Sequence, residues 1–341
     1  MSTSSTVLVL GARGRFGAAA ARAFAGAGWR VVAQVRPGAS DLPPLAGVEW
    51  VRADPADTQA LSAAAAGATV VVHALSPAYT HAAWRVEVPR LTDAAIAIAR
   101  ELRALLMLPA SVYNFGAAMP PRLREDTPQH PTTFKGRLRV ESERRIAQAT
   151  ADGRMKAVVI RAGDFFGNGR GSWLDLVIAK DLRKGRMSYP GPRGVPTAWA
   201  YVPDLADSFV RVAERRERLP AFETLHFAGY ALTREDWADA LQAIAREQGW
   251  LPQGQALRVA GVPWPLLRIL GLAVPTLAAV CEMRYLWTTP HALVDQRMEA
   301  LIGRQSSTPF AVAVRQAMAE LMPAEKPGAR PRPTPGVEAA G

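Results

Sequence analysis

Six short apolar runs recur through the first 161 residues, most without polar alternation, separated by alanine-rich stretches. They are Thr6–Leu10, Arg30–Val35, Val48–Arg52, Thr69–Ala74, Ala104–Leu108 and Ala157–Arg161. Runs of this kind suit strands buried on both faces, which need helices on each side of a parallel sheet. The intervening Phe16–Ala27, Gln59–Ala66, Glu87–Glu101 and Arg139–Ala149 carry helical patterns. Strand and helix alternating at this spacing predict βαβ units and an α/β doubly wound parallel sheet. At 341 residues and 49% hydrophobic composition, a chain buries roughly three quarters of its unfolded surface, enough for one large core or two lobes.

The rhythm changes after Gly163. Gly167–Gly171 and Gly185–Pro196 are rich in glycine or proline and read as loops, whereas Trp199–Val202 and Thr224–Phe227 read as strands returning to the sheet. Thr233–Gln248 and Pro263–Met322 read as mainly helical. The expected organisation is a nucleotide-binding unit over 1–165 with 198–229 rejoining it. A smaller, mainly helical substrate lobe spans 166–197 and 230–323, and a Pro- and Gly-rich tail over 324–341 is predicted to be disordered.

The first run, TVLVL, leads directly into GARGRFG, with Gly11, Gly14 and Gly17 at three-residue spacing. In a Rossmann-type unit the first glycine permits a tight turn, the second lets backbone approach a pyrophosphate, and the third allows close helix–sheet packing. The helix opening at Phe16 aims unpaired N–H groups at the phosphates. The second strand bears on the choice of nucleotide. A site for NAD carries an acid near its end for the ribose 2′-hydroxyl, but here Gln34, Val35 and Arg36 occupy that place. Arg36, with Arg13 and Arg15 in the loop, offers forked permanent charge to a 2′-phosphate, so NADP is favoured over NAD. Asp54, after the third strand, either accepts from the adenine amino group or caps the next helix.

These stretches, together with VVHALSP, ASVYNFG, VIRAGDFFGNG and YVPDLADSFV, make the chain similar to extended and atypical short-chain dehydrogenase/reductases. That superfamily includes the NAD-dependent epimerases and dehydratases. The resemblance runs from Thr6 to about Phe227. It implies that Ala74 and Leu75 lie near the cofactor ribose and that strand ends form the reaction cleft; members often pair through helices flanking the sheet, which leaves both a homodimer and a monomer open. It also exposes a departure. Members carry a Tyr-x-x-x-Lys pair and an upstream Ser or Thr. Aligned on Glu141, the tyrosine position is Thr133, the lysine position Arg137 and the serine position Pro109. Ser111, Tyr113 and Lys135 are the nearest substitutes, since a cation beside a tyrosine favours the phenolate needed for proton transfer. Asp164, after the sixth strand, is expected either to face the substrate cleft or to form a turn, Asp204 to cap a helix, and His73 to be a satisfied core histidine.

Other classes fit poorly. The formal charge of +11 comes from dispersed arginines, and the densest group, Arg211–Arg218, is broken by Glu214 and Glu217. That pattern suits a solvated helix face, so no nucleic-acid partner is expected. Scattered histidines and a single Cys281 give neither a metal site nor a disulfide. With no secretory signal, a cytoplasmic location is the expectation. The apolar Pro263–Met283 run contains Arg268 and three prolines, which suits buried or surface-docked helices better than a span, leaving peripheral membrane contact as an alternative. The leading expectation is an NADP-dependent oxidoreductase or epimerase-like enzyme acting on a small-molecule carbonyl or alcohol. The alternatives are a non-catalytic NADP-binding redox sensor and a membrane-peripheral reductase acting on a lipid-like molecule.

Overall fold

The computed structural model describes residues 5–42 and 44–322; the predicted tail lies outside them. Seven strands form the central sheet: β1 (Thr6–Leu10), β2 (Arg30–Val35), β3 (Val48–Arg52), β4 (Ala68–His73), β5 (Leu105–Ala110), β6 (Lys156–Arg161) and β7 (Phe222–His226). Their order is β7-β6-β5-β4-β1-β2-β3, with every neighbouring pair parallel. Alternate side chains of one strand point to opposite faces, and β1 shows the consequence. Val7 and Val9 pack with α1 (Arg15–Gly26) and α5 (Val202–Glu214) on one side. Leu8 and Leu10 pack with residues of α2 (Thr58–Ala64), α3 (His81–Glu101) and α4 (Phe134–Ala149) on the other. This double winding explains why most positions of the inner strands are apolar. The chain reverses its direction of strand addition between β1 and β4, which places a ligand crevice at their carboxyl ends.

The second lobe has its own core. It is built around α6 (Arg234–Glu247), followed by α7 (Trp264–Leu270), α8 (Pro275–Glu282), α9 (Tyr285–Thr288), α10 (Gln296–Ile302) and α11 (Phe310–Leu321). The α6 start is fixed locally: Thr233 Oγ1 accepts from Asp236 N (3.2 Å) and Asp236 accepts from Thr233 N (2.8 Å), a capping box. Trp237 on that helix meets Trp199 (4.8 Å between ring centroids), Phe310 (5.0 Å) and Phe166 (5.3 Å).

Two expectations need correction here. Thr197–Tyr201 does not rejoin the central sheet; it lies between Asp164–Phe166 and Tyr230–Leu232 in a separate three-stranded sheet. Its Trp199 and Tyr201 belong to the aromatic core of the second lobe, and burying them there outweighs extending an edge already taken by β7. The region expected as a loop from Gly185 also contains a strand, Arg186–Tyr189, paired in parallel with Arg258–Gly261. Replacing Trp237 by Ala should destabilise the protein by about 3–5 kcal/mol, the usual cost of emptying a buried aromatic site. Urea denaturation followed by far-UV circular dichroism measures it, and a loss below 1 kcal/mol (roughly the surface-substitution range) would contradict the packing described.

Candidate functional site

The glycine turn is built by close backbone approach. Gly11 has φ +76°, and a Cβ there would lie 2.9 Å from the Ala74 carbonyl oxygen. At Gly17 a Cβ would come within 2.3 Å of the Gly11 oxygen, so a side chain would push α1 off the sheet. Gly14 precedes α1 as its N-cap and no side chain caps the first turn, leaving the amides of Arg15, Phe16 and Gly17 aimed along the crevice. Ala74 N donates to Leu10 O (3.0 Å), which brings Ala74 and Leu75 beside the turn. Phe16 is buried against Phe209 (4.7 Å) and anchors the helix start. This cradle, with backbone donors and no Cβ in the way, fits a dinucleotide pyrophosphate.

Gln34 explains why no acid stands at the end of β2. Its side-chain oxygen accepts from Gly11 N (2.8 Å) and its amide nitrogen donates to Ala53 O (2.7 Å). A neutral amide can do both; a carboxylate cannot donate to the carbonyl. Arg13 and Arg36 are exposed and take part in no ion pair among the described residues. Arg15 parts company with them. Its guanidinium donates to Phe165 O (3.2 Å) and lies within electrostatic reach of Asp175 and Asp164, toward the reaction end of the crevice. Asp54 accepts from Ala56 N (2.8 Å) and Arg90 (3.2 Å), while Asp57 caps α2.

Helix α4 reorders the degenerate catalytic segment. Thr133, at the tyrosine position by sequence, is the helix N-cap, accepting from Gly136 N (3.1 Å). Arg137 is exposed, and Glu141 pairs with Arg144 and Arg145 on the surface. The face turned to the sheet instead carries Lys135, Arg139 and Glu143, at successive four-residue steps. Glu143 takes Arg161 of β6 in a buried bidentate pair (2.9 and 2.8 Å), and Arg161 also donates to Ser111 O (3.2 Å). The inward pair at Tyr-x-x-x-Lys spacing is therefore Lys135 and Arg139, two residues later than sequence alignment places it. Arg139 was missed because Val140-Glu141 offers an equally good local match to the family pattern; the packed helix face alone distinguishes the two registers.

Lys135 is fully buried. Its Nζ donates to Ala279 O (2.9 Å) and Glu282 (3.1 Å) on α8, and sits 4.6 Å above the Tyr79 ring. Burial lowers its pKa, with Glu282 opposing. The cation beside Tyr113 is Arg139, not Lys135. Tyr113 Oη lies 3.5 Å from Tyr79 Oη, and burial, then Tyr79 and Asp164, push its pKa well above 10.0. Ser111 Oγ is 3.5 Å from Tyr113 N. Asp164 follows β6 and faces the same cluster, within electrostatic reach of Tyr79, Tyr113, Tyr285 and Arg15. Burial raises its carboxyl to about 7, with Arg15 opposing. The structure thus gathers Ser111, Tyr113, Lys135 and Asp164 at one end of the crevice, together with Tyr79 and Arg139.

His73 is buried as expected and held neutral, its pKa lowered to about 3 by burial and by Arg139, although its Nδ1 has no hydrogen-bond partner. Asp204 is not a helix cap; it accepts from Thr308 N (2.7 Å) and Thr308 Oγ1 (2.8 Å), tying α5 to the chain before α11. Among the described residues no group of His, Cys, Asp or Glu is arranged to hold a metal ion.

Two measurements test this geometry. Glu143→Ala strands the Arg161 charge and should cost about 3–5 kcal/mol, whereas a Glu143→Leu, Arg161→Met double variant should cost much less. Equal losses in chemical denaturation would show that the pair does not anchor α4. For Asp164, the folded chain holds a proton that the unfolded chain releases between pH 3.8 and about 7. Stability is therefore favoured below that window and lost as pH rises through it. Asp164→Asn should flatten this part of the stability profile, and an unchanged slope would refute the raised pKa.

The model of the NAD dependent epimerase/dehydratase family matches residues 7–227. Among curated proteins none matches the sequence significantly. Solved structures of similar fold include UDP-glucose 4-epimerase from Brucella ovis in complex with NAD, at TM-score 0.70 and 17% identity, covering 92% of this chain and 97% of that one. The Bordetella bronchiseptica enzyme WbmH in complex with NAD+ superposes at TM-score 0.68 and 15% identity, over 94% and 100% of the two chains. The NDP-hexosamine 5,6-dehydratase TunA, involved in tunicamycin biosynthesis, gives 0.65 and 15%, over 94% and 99%. At these identities the neighbours speak for the fold, while the family match covers more than half of the sequence. The chain belongs to the NAD dependent epimerase/dehydratase family.

Proposed function

We propose that this protein is an NADP-dependent oxidoreductase or epimerase-like enzyme acting on a hydroxyl or carbonyl carbon of a small molecule. The observation that carries the reading is the glycine cradle at the ends of β1 and β4, which opens onto a cluster of titratable groups at the ends of β5 and β6. A nicotinamide nucleotide held there would supply or remove hydride at its C4. The amides opening α1 would hold the pyrophosphate. Arg36, with Arg13 beside it, would meet a 2′-phosphate, while Gln34 is already committed to the turn.

The proton is the harder part of the chemistry. Tyr113 is poorly suited to be a phenolate, since burial and Asp164 oppose its ionisation. Asp164, with a carboxyl near 7, is matched to giving or taking a proton at neutral pH. It would do so at the substrate oxygen, with the Tyr79 and Tyr113 hydroxyls orienting that oxygen and Arg139 offsetting charge. Sugar nucleotides are one substrate class worth screening, because the structural neighbours include a UDP-glucose epimerase and an NDP-hexosamine dehydratase. The competing reading is a cofactor-binding sensor without turnover. It is favoured by the engagement of Lys135 with Glu282 and Ala279, which leaves that cation committed to the protein.

Fluorescence titration should show NADPH bound more tightly than NADH. Arg36→Ala should weaken NADPH by about tenfold or more, charge-assisted hydrogen bonds being worth about 1.5–3 kcal/mol, and should leave NADH unchanged. Equal affinities insensitive to Arg36 would reverse the nucleotide assignment. On any substrate found, Asp164→Asn should lower kcat by about a hundredfold or more. Full activity in that variant would remove Asp164 from the chemistry. Tight cofactor binding with no turnover over carbonyl compounds and sugar nucleotides would favour the sensor.

A further inference from the structure

The α7–α8 hairpin presents an apolar surface that no described residue covers. Leu266, Ile269, Leu270, Leu272 and Val274 lie within nine residues, and three of them are 51%, 66% and 89% exposed (Leu266, Ile269 and Leu272). Five of the eight large exposed hydrophobics of the described residues fall in this one turn. The hairpin is nevertheless ordered from beneath. Trp264 is buried and donates to Pro190 O (2.8 Å), Ala279 is buried, and Glu282 joins Lys135 (3.1 Å) and His81 (2.8 Å). The hairpin is therefore anchored at its base, with Leu272 exposed at its apex.

The charge on the hairpin is one-sided. Arg268 and Arg284 are exposed, both lie within electrostatic reach of Cys281 at the base of the hairpin, and neither makes an ion pair among the described residues, Arg284 lying over the Trp264 ring (5.9 Å). Between Trp264 and Arg284 the only acid is Glu282, and it is consumed by Lys135 and His81. An apolar apex above unpaired arginines matches the interfacial region of a bilayer, where leucines enter the acyl boundary and basic groups meet anionic headgroups. No helix of the described residues is long and apolar enough to cross a membrane, and helices of seven and eight residues suit lying on it.

We propose that the α7–α8 hairpin is a docking surface for an anionic lipid bilayer, with Leu272 and Ile269 inserted and Arg268 and Arg284 at the headgroups. The surface is independent of the redox reading, although α8 joins the two: its outer end borders the apex, and its inner residues Ala279 and Glu282 cover Lys135. Bound there, the protein would hold the cover over its reaction crevice next to the membrane.

The test is co-sedimentation of the full-length protein with vesicles of phosphatidylcholine alone and of phosphatidylcholine with phosphatidylglycerol. Binding is expected to the anionic vesicles, weaker in high salt and weaker still without the anionic lipid. Leu272→Asp with Ile269→Asp should reduce it by about tenfold or more, since each leucine-sized side chain contributes at about that level. Arg268→Gln with Arg284→Gln should remove most of the preference for anionic lipid. Leu176→Asp, an exposed leucine elsewhere, should change nothing. An unchanged far-UV circular dichroism spectrum and urea midpoint in the variants separate lost docking from a damaged fold. No sedimentation with anionic vesicles at low salt overturns the proposal, as does binding that survives the double aspartate variant. Self-association abolished by that variant, without vesicle binding, would assign the surface to a second copy of the chain and overturn it too.

Discussion

The end of the crevice that holds Asp164 and Tyr113 depends on how one helix is turned about its axis, and a buried charge pair sets that turn. Arg161 leaves β6 and meets Glu143 of α4 edge to edge, with both side chains almost wholly removed from water. A guanidinium and a carboxylate buried together must stay paired, because separating them strands two charges in a low-dielectric interior. Glu143 is thereby fixed to the sheet, and helical periodicity carries the constraint outward: positions four and eight residues earlier face the same way. Those positions are Arg139 and Lys135. The same Arg161 holds the Ser111 carbonyl, so the ends of β5 and β6 and the start of α4 form one unit.

At the other end of the crevice a neutral side chain has a comparable task. Gln34 bridges the glycine turn to the chain leaving β3 by donating with one atom and accepting with the other. No acid stands at the end of β2, where Arg36 is exposed. Arg13 and Arg36 are exposed, whereas Asp164 and several tyrosines share a desolvated space. Burial there raises carboxyl and phenol pKa values together, and the guanidinium groups of Arg15 and Arg139 limit the carboxyl and Tyr113 shifts respectively.

Helix α8 belongs to both lobes in effect. Glu282 accepts from Phe134 N at the start of α4, from Lys135 and from His81 at the start of α3. Desolvation alone would raise its pKa, but His81 and Lys135 hold it below the usual carboxylate range. An ionised Glu282 is thus the tie that keeps α8 against the crevice, and Lys135 is its counter-charge rather than a free catalytic group.

The doubly wound sheet was legible in the sequence because strands buried on both faces are mainly apolar, and all seven central strands announce themselves within two residues of their ends. The glycine cradle was equally legible, since close backbone approach demands a residue without a Cβ wherever it occurs. Asp164 could be placed in the crevice from its position after β6. What the sequence left open depends on contacts between distant segments. Trp199–Val202 looked like a strand for the central sheet until the burial of Trp199 among Trp237, Trp287 and Phe166 assigned the segment elsewhere. Lys135 read as a partner for Tyr113, and only its contact with Glu282, 147 residues away, gave it a different one. Local pattern sets which elements form and where backbone must be bare. The facing of α4, the pairing of buried charges and the pKa of Asp164 come from desolvation and long-range geometry, which exist only once the chain has folded.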